Sequence, residues 1–191
     1  VLKKTKAPVI MPPHPGELGR LLGISSGAVQ KDRIGVAAAF AAKYKVILVL
    51  KGAGTVIAIP DGRLFVNSTG NPGMATGGTG DVLTGVVAAL LGQRLPPYDA
   101  ARLGACAHGL AGDLARDELG EVGLVASDLG RWLPHAFLAL AAPEGPEEGA
   151  AAAAPLLVLE EEGGADGVDA EAQERPAARL APALRVLGVR P

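Results

Sequence analysis

The feature that most restricts what this chain can fold into is a glycine-rich segment, residues 67–80, that leads directly into a strong helix pattern over Asp81–Leu91. The segment holds five glycines together with Asn, Ser, Thr and Pro residues. Such a composition is too flexible for a strand or a helix. The sequence therefore predicts a long loop that feeds the N-terminus of a helix.

This loop and helix together predict a binding site for an anion. Glycines let backbone amides approach an oxyanion closely, and a helix that begins at Asp81 points its unpaired N–H groups and its dipole at the same place. No Gly-Lys-Ser/Thr follows the glycines, so the segment is not a P-loop. It is also not the GxGxxG of a dinucleotide site, which would stand at the end of a first strand. A phosphate group is the expected occupant.

Asp81 needs an explanation of its own, because a carboxylate beside a phosphate site repels the phosphate unless the charge has a function. As a general base, Asp81 could accept a proton from a substrate hydroxyl while that oxygen attacks a terminal phosphoryl group held by the amides and a magnesium ion. The alternative is that Asp81 is only a favourable acidic residue in the first helical turn. The surrounding run Asn71–Asp81 favours the catalytic interpretation.

The apolar pattern before this loop predicts an α/β fold. Val46–Leu50 is continuously apolar, as a strand buried on both faces of a sheet should be. Thr55–Ile59 and Arg63–Val66 alternate around an Asp-Gly pair, which is typical of a β-hairpin. Pro8–Met11 predicts a further short buried strand.

Helices are predicted on either side of these strands. The first starts at Pro15 and ends at Gly23, and one longer helix is predicted over Val29–Tyr44 with Ile34, Ala38 and Ala41 on its inner face. Two more follow the glycine-rich loop and its helix: one over Tyr98–Leu119, and one capped by Ser127 or Asp128 that continues towards Leu140.

Composition and charge narrow the class of protein. With 191 residues and 49% apolar content, the chain can hold one domain with a sizeable core. Residues 1–143 carry ten acids and fourteen bases, a net charge of +4, and residues 144–191 carry ten acids and four bases, a net charge of −6. The mildly basic part suits an anionic small molecule but not nucleic acid, and the few aromatic residues offer little base stacking.

Targeting signals and thiols point to a cytoplasmic protein. No secretory signal follows Val1, and no apolar run reaches the roughly 20 residues needed to cross a bilayer. Cys106 has no partner for a disulfide, which fits a reducing compartment. Residues 144–191 form an acidic tail rich in Ala, Gly, Pro and Glu, predicted to be weakly ordered, although Leu156–Leu159 could pair as a short strand.

Three motifs carry a resemblance to a known family. The run NPGMATGGTGDVLTG, with PHPGE at Pro13–Glu17 and LKGAGT at Leu50–Thr55, resembles NAD(P)H-hydrate dehydratases of the ribokinase-like superfamily over Pro8–Leu140. The resemblance implies a partial ribokinase-like three-layer sandwich, with a mostly parallel sheet and an antiparallel hairpin, in residues 1–143.

The resemblance also implies an activity. Members of the family phosphorylate the hydroxyl on the hydrated nicotinamide ring of NADH or NADPH, using ADP or ATP with Mg²⁺, and phosphate then leaves to restore the double bond. Asp81 would be the catalytic base and a substrate contact, and His14 would contact the hydrated cofactor. No residue is implied as a metal ligand. The implied nucleotide contacts are Lys51, Gly52, Ala53, Gly54, Thr55, Asn71, Pro72, Gly73, Met74, Ala75, Thr76, Gly77, Gly78, Thr79 and Gly80.

Several of these residues could instead have a purely structural role. Lys51 at the carboxyl end of a core strand lies where open α/β sheets bind ligands, which favours a role in binding; the alternative is that it caps the strand at the surface. His14 could be a plain turn residue, and Glu17 is expected to stabilise its helix rather than touch substrate. A structural role is expected for His108, and likewise for His135 and Trp132. Asn67 and Asn71 could bond within the loop or reach a ligand.

The chain departs from the family's pattern at its front. Family members normally carry several parallel strands before PHPGE, so Val46–Leu50 is expected to lack neighbours on one side and to expose a long apolar edge. Either a second polypeptide supplies the rest, or the chain is a fragment or a truncated gene product. The partners expected for the chain are a complementing N-terminal segment or a homo-oligomer. The alternatives in function are a small-molecule kinase of the same superfamily, acting on a vitamin precursor, and an inactive fragment that binds nucleotide.

Overall fold

The computed structural model describes residues 5–142 and the short strand Val158–Leu159. Five strands form one sheet in the order β1-β2-β3-β4-β5. They are β1 (Ile10–Met11), β2 (Ile47–Leu50), β3 (Thr55–Ala58), β4 (Leu64–Asn67) and β5 (Val158–Leu159). The predicted strands and hairpin are confirmed, and Val158–Leu159, within the possible strand 156–159, pairs with β4, a partner that the sequence did not indicate. The rest of the acidic tail predicted over residues 144–191 lies outside the described residues.

Six α-helices accompany the sheet within residues 5–142. They are α1 (Pro15–Leu22), α2 (Ser26–Lys31), α3 (Arg33–Tyr44), α4 (Thr79–Gly92), α5 (Pro97–Leu119) and α6 (Ala126–Ala141). Within the described part of the chain, no helix is both long enough and apolar enough to cross a membrane.

The sheet lies between two layers of helices because β2 buries both of its faces. Ile47 and Val49 face the core made with α4, α5 and α6, whereas Leu48 and Leu50 face the core made with α1, α2 and α3. The α/β class, the three layers and the doubly buried strand are therefore confirmed. All four side chains of the strand are buried.

Two expectations about the sheet need correction. Of the strand pairs described, only β1–β2 is parallel and the other three are antiparallel, so this part of the sheet is not mostly parallel. The hairpin of β3 and β4, the pairing of β3 with β2 and the added β5 account for that count. The strand β2 is also not an edge, because Ile10 pairs with Ile47 and Met11 with Leu48. The edge position falls to the two-residue β1 instead.

The single helix predicted over Val29–Tyr44 is wrong, because the chain breaks at Asp32. That residue has φ −144° and ψ 69°, and its carboxylate accepts a hydrogen bond from the Gly35 N–H at 2.8 Å, which starts α3 afresh. The restart rotates the inner face, so Phe40 and Ala41 are buried while Ile34 is 42% exposed.

The beginning of α6 also differs from its prediction. The helix starts at Ala126, with Val125 as the capping position, rather than after Ser127 or Asp128. Asp128 still takes part, because its carboxylate accepts from the Val125 N–H at 2.9 Å. An acidic residue in the first turn thus satisfies one of the unpaired donors at the helix start.

Candidate functional site

The glycine-rich loop delivers the N-terminus of α4 to the candidate site. Gly78 precedes the helix with φ 94°, a conformation that other residues rarely adopt, and so turns the chain sharply into it. The helix begins at Thr79, two residues before the predicted start, so Asp81 occupies its third position. The prediction missed these residues because Thr and Gly are poor helix formers.

Backbone donors at this helix start are free to bind an anion. Among the described residues, no acceptor takes the N–H groups of Gly77, Gly78, Thr79 or Gly80. By contrast, the N–H groups of Asp81 and Val82 both donate to the Gly78 carbonyl. Four successive unpaired donors at the positive end of a helix dipole are the elements of a phosphate site.

The preceding residues of the loop are occupied in holding its shape. The N–H of Gly73 donates to the Asn71 side chain at 3.1 Å, and those of Met74 and Ala75 donate to the carbonyls of Asn71 and Pro72. The Met74 side chain packs in a small apolar cluster with Leu124 and Leu129. The available donors therefore lie at the glycine end of the predicted run, after Ala75.

Helix α5 fixes the loop from beneath. The Asp113 carboxylate accepts from the Gly70 N–H at 2.8 Å and from the Asn71 side-chain amide at 3.0 Å. Buried Asn67 donates to the carbonyls of Thr69 and Ala105. Both asparagines therefore bond within the scaffold. Asp113 was not singled out by sequence reasoning, since its partners lie more than forty residues away.

His108 lies against the first turn of α4. Its Nε2 is 2.8 Å from the Thr79 carbonyl oxygen, which can only accept, so the ring donates from Nε2. Burial lowers the pKa of His108; the bond to Thr79 opposes this shift and the charge of Lys51 adds to it. A neutral imidazole therefore supports the first turn of α4. The expected structural role is correct, but its place beside the site was not foreseen.

Lys51 reaches the same turn from the end of β2. A Cβ placed on Gly80 would lie only 2.8 Å from the Lys51 Nζ, so the ammonium lies directly over the second residue of α4. The ammonium is also 3.7 Å from a Glu17 carboxylate oxygen. The side chain of Lys51 is 24% exposed, so its charge is only partly screened by water. A positive charge thus adjoins the free amides.

His14 and Glu17 form the start of α1 next to Lys51. The His14 Nδ1 accepts from the Gly16 and Glu17 N–H groups at 3.0 and 3.2 Å, while Glu17 accepts from the His14 N–H at 2.7 Å. This N–H lowers the pKa of Glu17, partial burial opposes the shift, and Lys51 lowers the pKa further. The predicted structural role of Glu17 is confirmed. Because Nδ1 caps the helix, the half-exposed ring can offer only Nε2 to a ligand.

Asp81 is exposed, and its carboxylate makes no hydrogen bond or ion pair within the residues that the structure describes. It lies one residue after Gly80, on the turn that Lys51 faces. A carboxylate that is not used by the fold is available to a substrate, as a general base must be.

The loop after Lys51 completes the arrangement. Gly52 and Gly54 have φ 140° and 63°, and the Thr55 hydroxyl donates to the Gly52 carbonyl at 3.0 Å. Ala53 is exposed at the tip. Arg33, which sequence reasoning missed, bonds to this loop from α3. The motifs at residues 13–17 and 50–55 and the end of the predicted Asn71–Asp81 segment therefore meet around Lys51, whereas residues 71–75 bond within the loop.

Residues 5–142 contain no cluster of three or more His, Cys, Asp or Glu side chains that could hold a metal ion. A magnesium ion keeps several waters and is commonly bound through phosphate oxygens plus one or two carboxylates.

Comparisons with known proteins agree with this geometry. A family model described as NAD(P)H-hydrate dehydratase matches residues 2–135. The bifunctional NAD(P)H-hydrate repair enzyme Nnr of Moorella thermoacetica is 51% identical over 135 residues, which are 71% of this chain and 26% of that protein. The ADP-dependent (S)-NAD(P)H-hydrate dehydratase of Bacillus subtilis is 40% identical over 134 residues, which are 70% of this chain and 49% of that protein.

A solved structure shows the same fold. The ADP/ATP-dependent NAD(P)H-hydrate dehydratase from Bacillus subtilis, co-crystallized with ATP/Mg²⁺, superposes with a TM-score of 0.68 at 39% identity. The match covers 72% of this chain and 51% of that one. The chain thus spans about half of the single-domain relatives and about a quarter of the bifunctional ones.

Proposed function

The chain belongs to the NAD(P)H-hydrate dehydratase family, and we propose that it takes part in the nucleotide-dependent removal of water from hydrated NADH or NADPH. The observation that carries the proposal is the free amide array at the start of α4, with the Lys51 ammonium over Gly80 and the unengaged Asp81 carboxylate one residue on. Together they would form a phosphate-binding site beside a general base.

The amide array and Lys51 would bind the phosphate that is transferred. Phosphoryl transfer is catalysed mainly by positioning and by stabilising charge on the phosphoryl oxygens, and both needs are met by fixed N–H donors and an ammonium. The bonds from His108 and Asp113 hold the loop before the nucleotide arrives, so less ordering is required on binding.

Asp81 would act on the substrate hydroxyl. Its carboxylate accepts the hydroxyl proton while the hydroxyl oxygen bonds to the terminal phosphorus of the nucleotide. The bond between that phosphorus and the bridging oxygen breaks, and the shortened nucleotide leaves with the bridging oxygen. The C–O bond of the resulting phosphate ester then breaks, phosphate leaves with that electron pair, and loss of a proton from the neighbouring ring carbon restores the double bond. The net change is loss of water from the ring.

The nucleotide is expected to be ADP or ATP. The relative from Bacillus subtilis is named ADP-dependent, and the solved structure was obtained with ATP/Mg²⁺. When bound, Mg²⁺ would neutralise phosphate charge. The loop from Lys51 to Thr55 would contact the nucleotide, and the exposed edge of His14 would contact the hydrated ring through Nε2.

The test is a repair assay with the full 191-residue chain. Hydrated NADPH is incubated with the chain, Mg²⁺ and either ADP or ATP, and NADPH absorbance and free phosphate are followed together. We expect both to rise in equal amounts and the Asp81→Asn variant to lose nearly all turnover while it still binds nucleotide. Asp117→Asn, an exposed aspartate on α5, is the control.

Each other outcome has a defined meaning. A stable phosphorylated alcohol formed from a vitamin precursor, without recovery of NADPH, would favour the small-molecule kinase. Nucleotide binding with no turnover in either substrate would show a binding fragment. If turnover appeared only after addition of the part of a longer relative that precedes its matched region, a complementing segment would be required. Failure to bind either nucleotide would contradict the proposal itself.

A further inference from the structure

Arg33, the first residue of α3, bonds to the backbone of the loop that follows β2. Its Nη2 lies 3.1 Å from the Leu50 carbonyl oxygen and 3.0 Å from that of Gly54. The carbonyl oxygen of Lys51 lies at 3.5 Å. One guanidinium nitrogen thus lies within 3.5 Å of three carbonyl oxygens, which come from both ends of one tight loop.

The contact with the Lys51 carbonyl bears on the direction of one of the loop's donors. In a trans peptide the N–H points opposite to the C=O, so a Lys51 carbonyl drawn towards Arg33 turns the Gly52 N–H away from α3. No described residue accepts the N–H groups of Gly52, Ala53 or Gly54. The carbonyls of Leu50, Lys51 and Gly54 therefore lie against Arg33, and that of Gly52 accepts from the Thr55 hydroxyl, whereas the N–H groups of residues 52–54 are unpaired among the described residues.

The backbone of the loop fits the guanidinium closely. A Cβ on Gly52 would lie 2.5 Å from Arg33 Nη1, so any side chain there would displace the arginine. The Arg33 Nε is buried and has no hydrogen-bond partner in the structure. Burial of an unpaired donor is unfavourable. The fold accepts this cost to keep the guanidinium in place over the loop.

We propose that Arg33 is a positioning residue for nucleotide binding, an inference that rests on the function proposed above. It does not touch the phosphates. It holds the Leu50–Gly54 backbone so that the amides, and the Lys51 side chain that starts the loop, face the bound nucleotide while the carbonyl oxygens, which would repel phosphate, face the guanidinium.

The test compares Arg33→Gln and Arg33→Lys with Arg131→Gln, a control at an exposed arginine on α6. We expect Arg33→Gln to weaken binding of ATP and ADP by about tenfold or more, because charge-assisted hydrogen bonds that order the loop are lost. Arg33→Lys should recover part of the affinity, since it keeps the charge without the planar fork. The KM for hydrated NADPH should stay unchanged, and added guanidinium ion should partly restore nucleotide binding to Arg33→Ala.

A general loss of folding would give a different pattern. It would raise the KM for both substrates and would not respond to guanidinium ion. Amide hydrogen exchange over residues 50–56 supplies a second readout without nucleotide: faster exchange in Arg33→Gln than in Arg131→Gln supports the ordering of the loop by Arg33. A wild type that binds no nucleotide would contradict the proposed function and, with it, the nucleotide part of this inference. Equal exchange and equal nucleotide affinity in the two variants would overturn it.

Discussion

Replacing Gly80 by alanine should weaken nucleotide binding while leaving the fold at least as stable. Gly80 is the second residue of α4 and is absent from the positive-φ positions, so alanine fits its backbone. Alanine exceeds glycine in helix propensity by up to about 1 kcal/mol, so the free energy of unfolding should stay level or rise. The new methyl group would lie 2.8 Å from the Lys51 Nζ, which must move.

The size of the effect follows from that movement. An ordinary contact of about 3.4 Å requires the ammonium to retreat by about 0.6 Å. Lengthening an ammonium–phosphate distance from about 3.0 to about 3.6 Å weakens the attraction by about 0.9 kcal/mol at an effective dielectric constant of about 20, which is about fivefold in Kd.

The assay is calorimetric titration of Mg²⁺-ATP and ADP into each variant, paired with thermal unfolding. Gly85→Ala is the matched control, because it lies on the same helix and a Cβ there meets no atom within 4 Å. Gly85→Ala should gain stability and keep its affinity. If Gly80→Ala bound nucleotide as tightly as Gly85→Ala does, Lys51 would not face the phosphate, and the reasoning would be refuted.

Three further predictions concern the scaffold of the site. Asp113→Ala should lower the free energy of unfolding by about 1.5 to 3 kcal/mol, because it leaves the Gly70 and Asn71 donors without a charged acceptor. Chemical denaturation measures this loss, and a loss as small as that of Asp117→Ala would contradict the prediction. Burial lowers the pKa of His108, so near that pKa the folded state binds fewer protons than the unfolded state. The free energy of unfolding should therefore decline as pH falls below about 6.5, and a denaturation series against pH should show a flatter decline for His108→Gln. The lowered pKa of Glu17 contributes stability that is present above about pH 4.5 and lost below it. Glu17→Gln should therefore lose less unfolding free energy than the wild type as pH falls below about 4.5. An equal loss in the two proteins would argue against the capping box.

The local patterns in the sequence were sufficient where one element decides its own structure. The unbroken apolar run of β2 predicted burial on both faces, and the Asp-Gly pair placed the hairpin. The helical periodicity gave the wrong boundary at Asp32. This residue caps α3 by accepting a hydrogen bond from the Gly35 N–H, and the alanine-rich sequence around it does not indicate that bond. The periodicity also placed the start of α4 too late, because the left-handed Gly78 starts a helix on residues of low propensity.

The site itself was predictable only as three separate motifs. Nothing in local periodicity brings Lys51 over Gly80 or directs Asp113 to the Gly70 amide, because these contacts join residues that the fold brings together from distant parts of the chain. Arg33 was missed for the same reason, since its partners begin seventeen residues further along. Motifs identify which residues bind, whereas the tertiary fold identifies which residues hold them in position.

Apolar residues of α4 and α6 also line a groove of about 360 Å³, including Val86, Leu90 and Phe137. It lies beyond the turn that carries the proposed phosphate contacts, and it has no part in the proposed chemistry.

The central claim is that the amides at the start of α4 bind phosphate, and backbone NMR of the full chain tests it most directly. Titration with Mg²⁺-ATP should move the amide signals of Gly77, Gly78, Thr79 and Gly80 strongly downfield, with smaller changes at Gly52–Gly54, as expected when unpaired N–H groups acquire charged acceptors. Saturable binding that left these four amide signals unmoved would contradict the account.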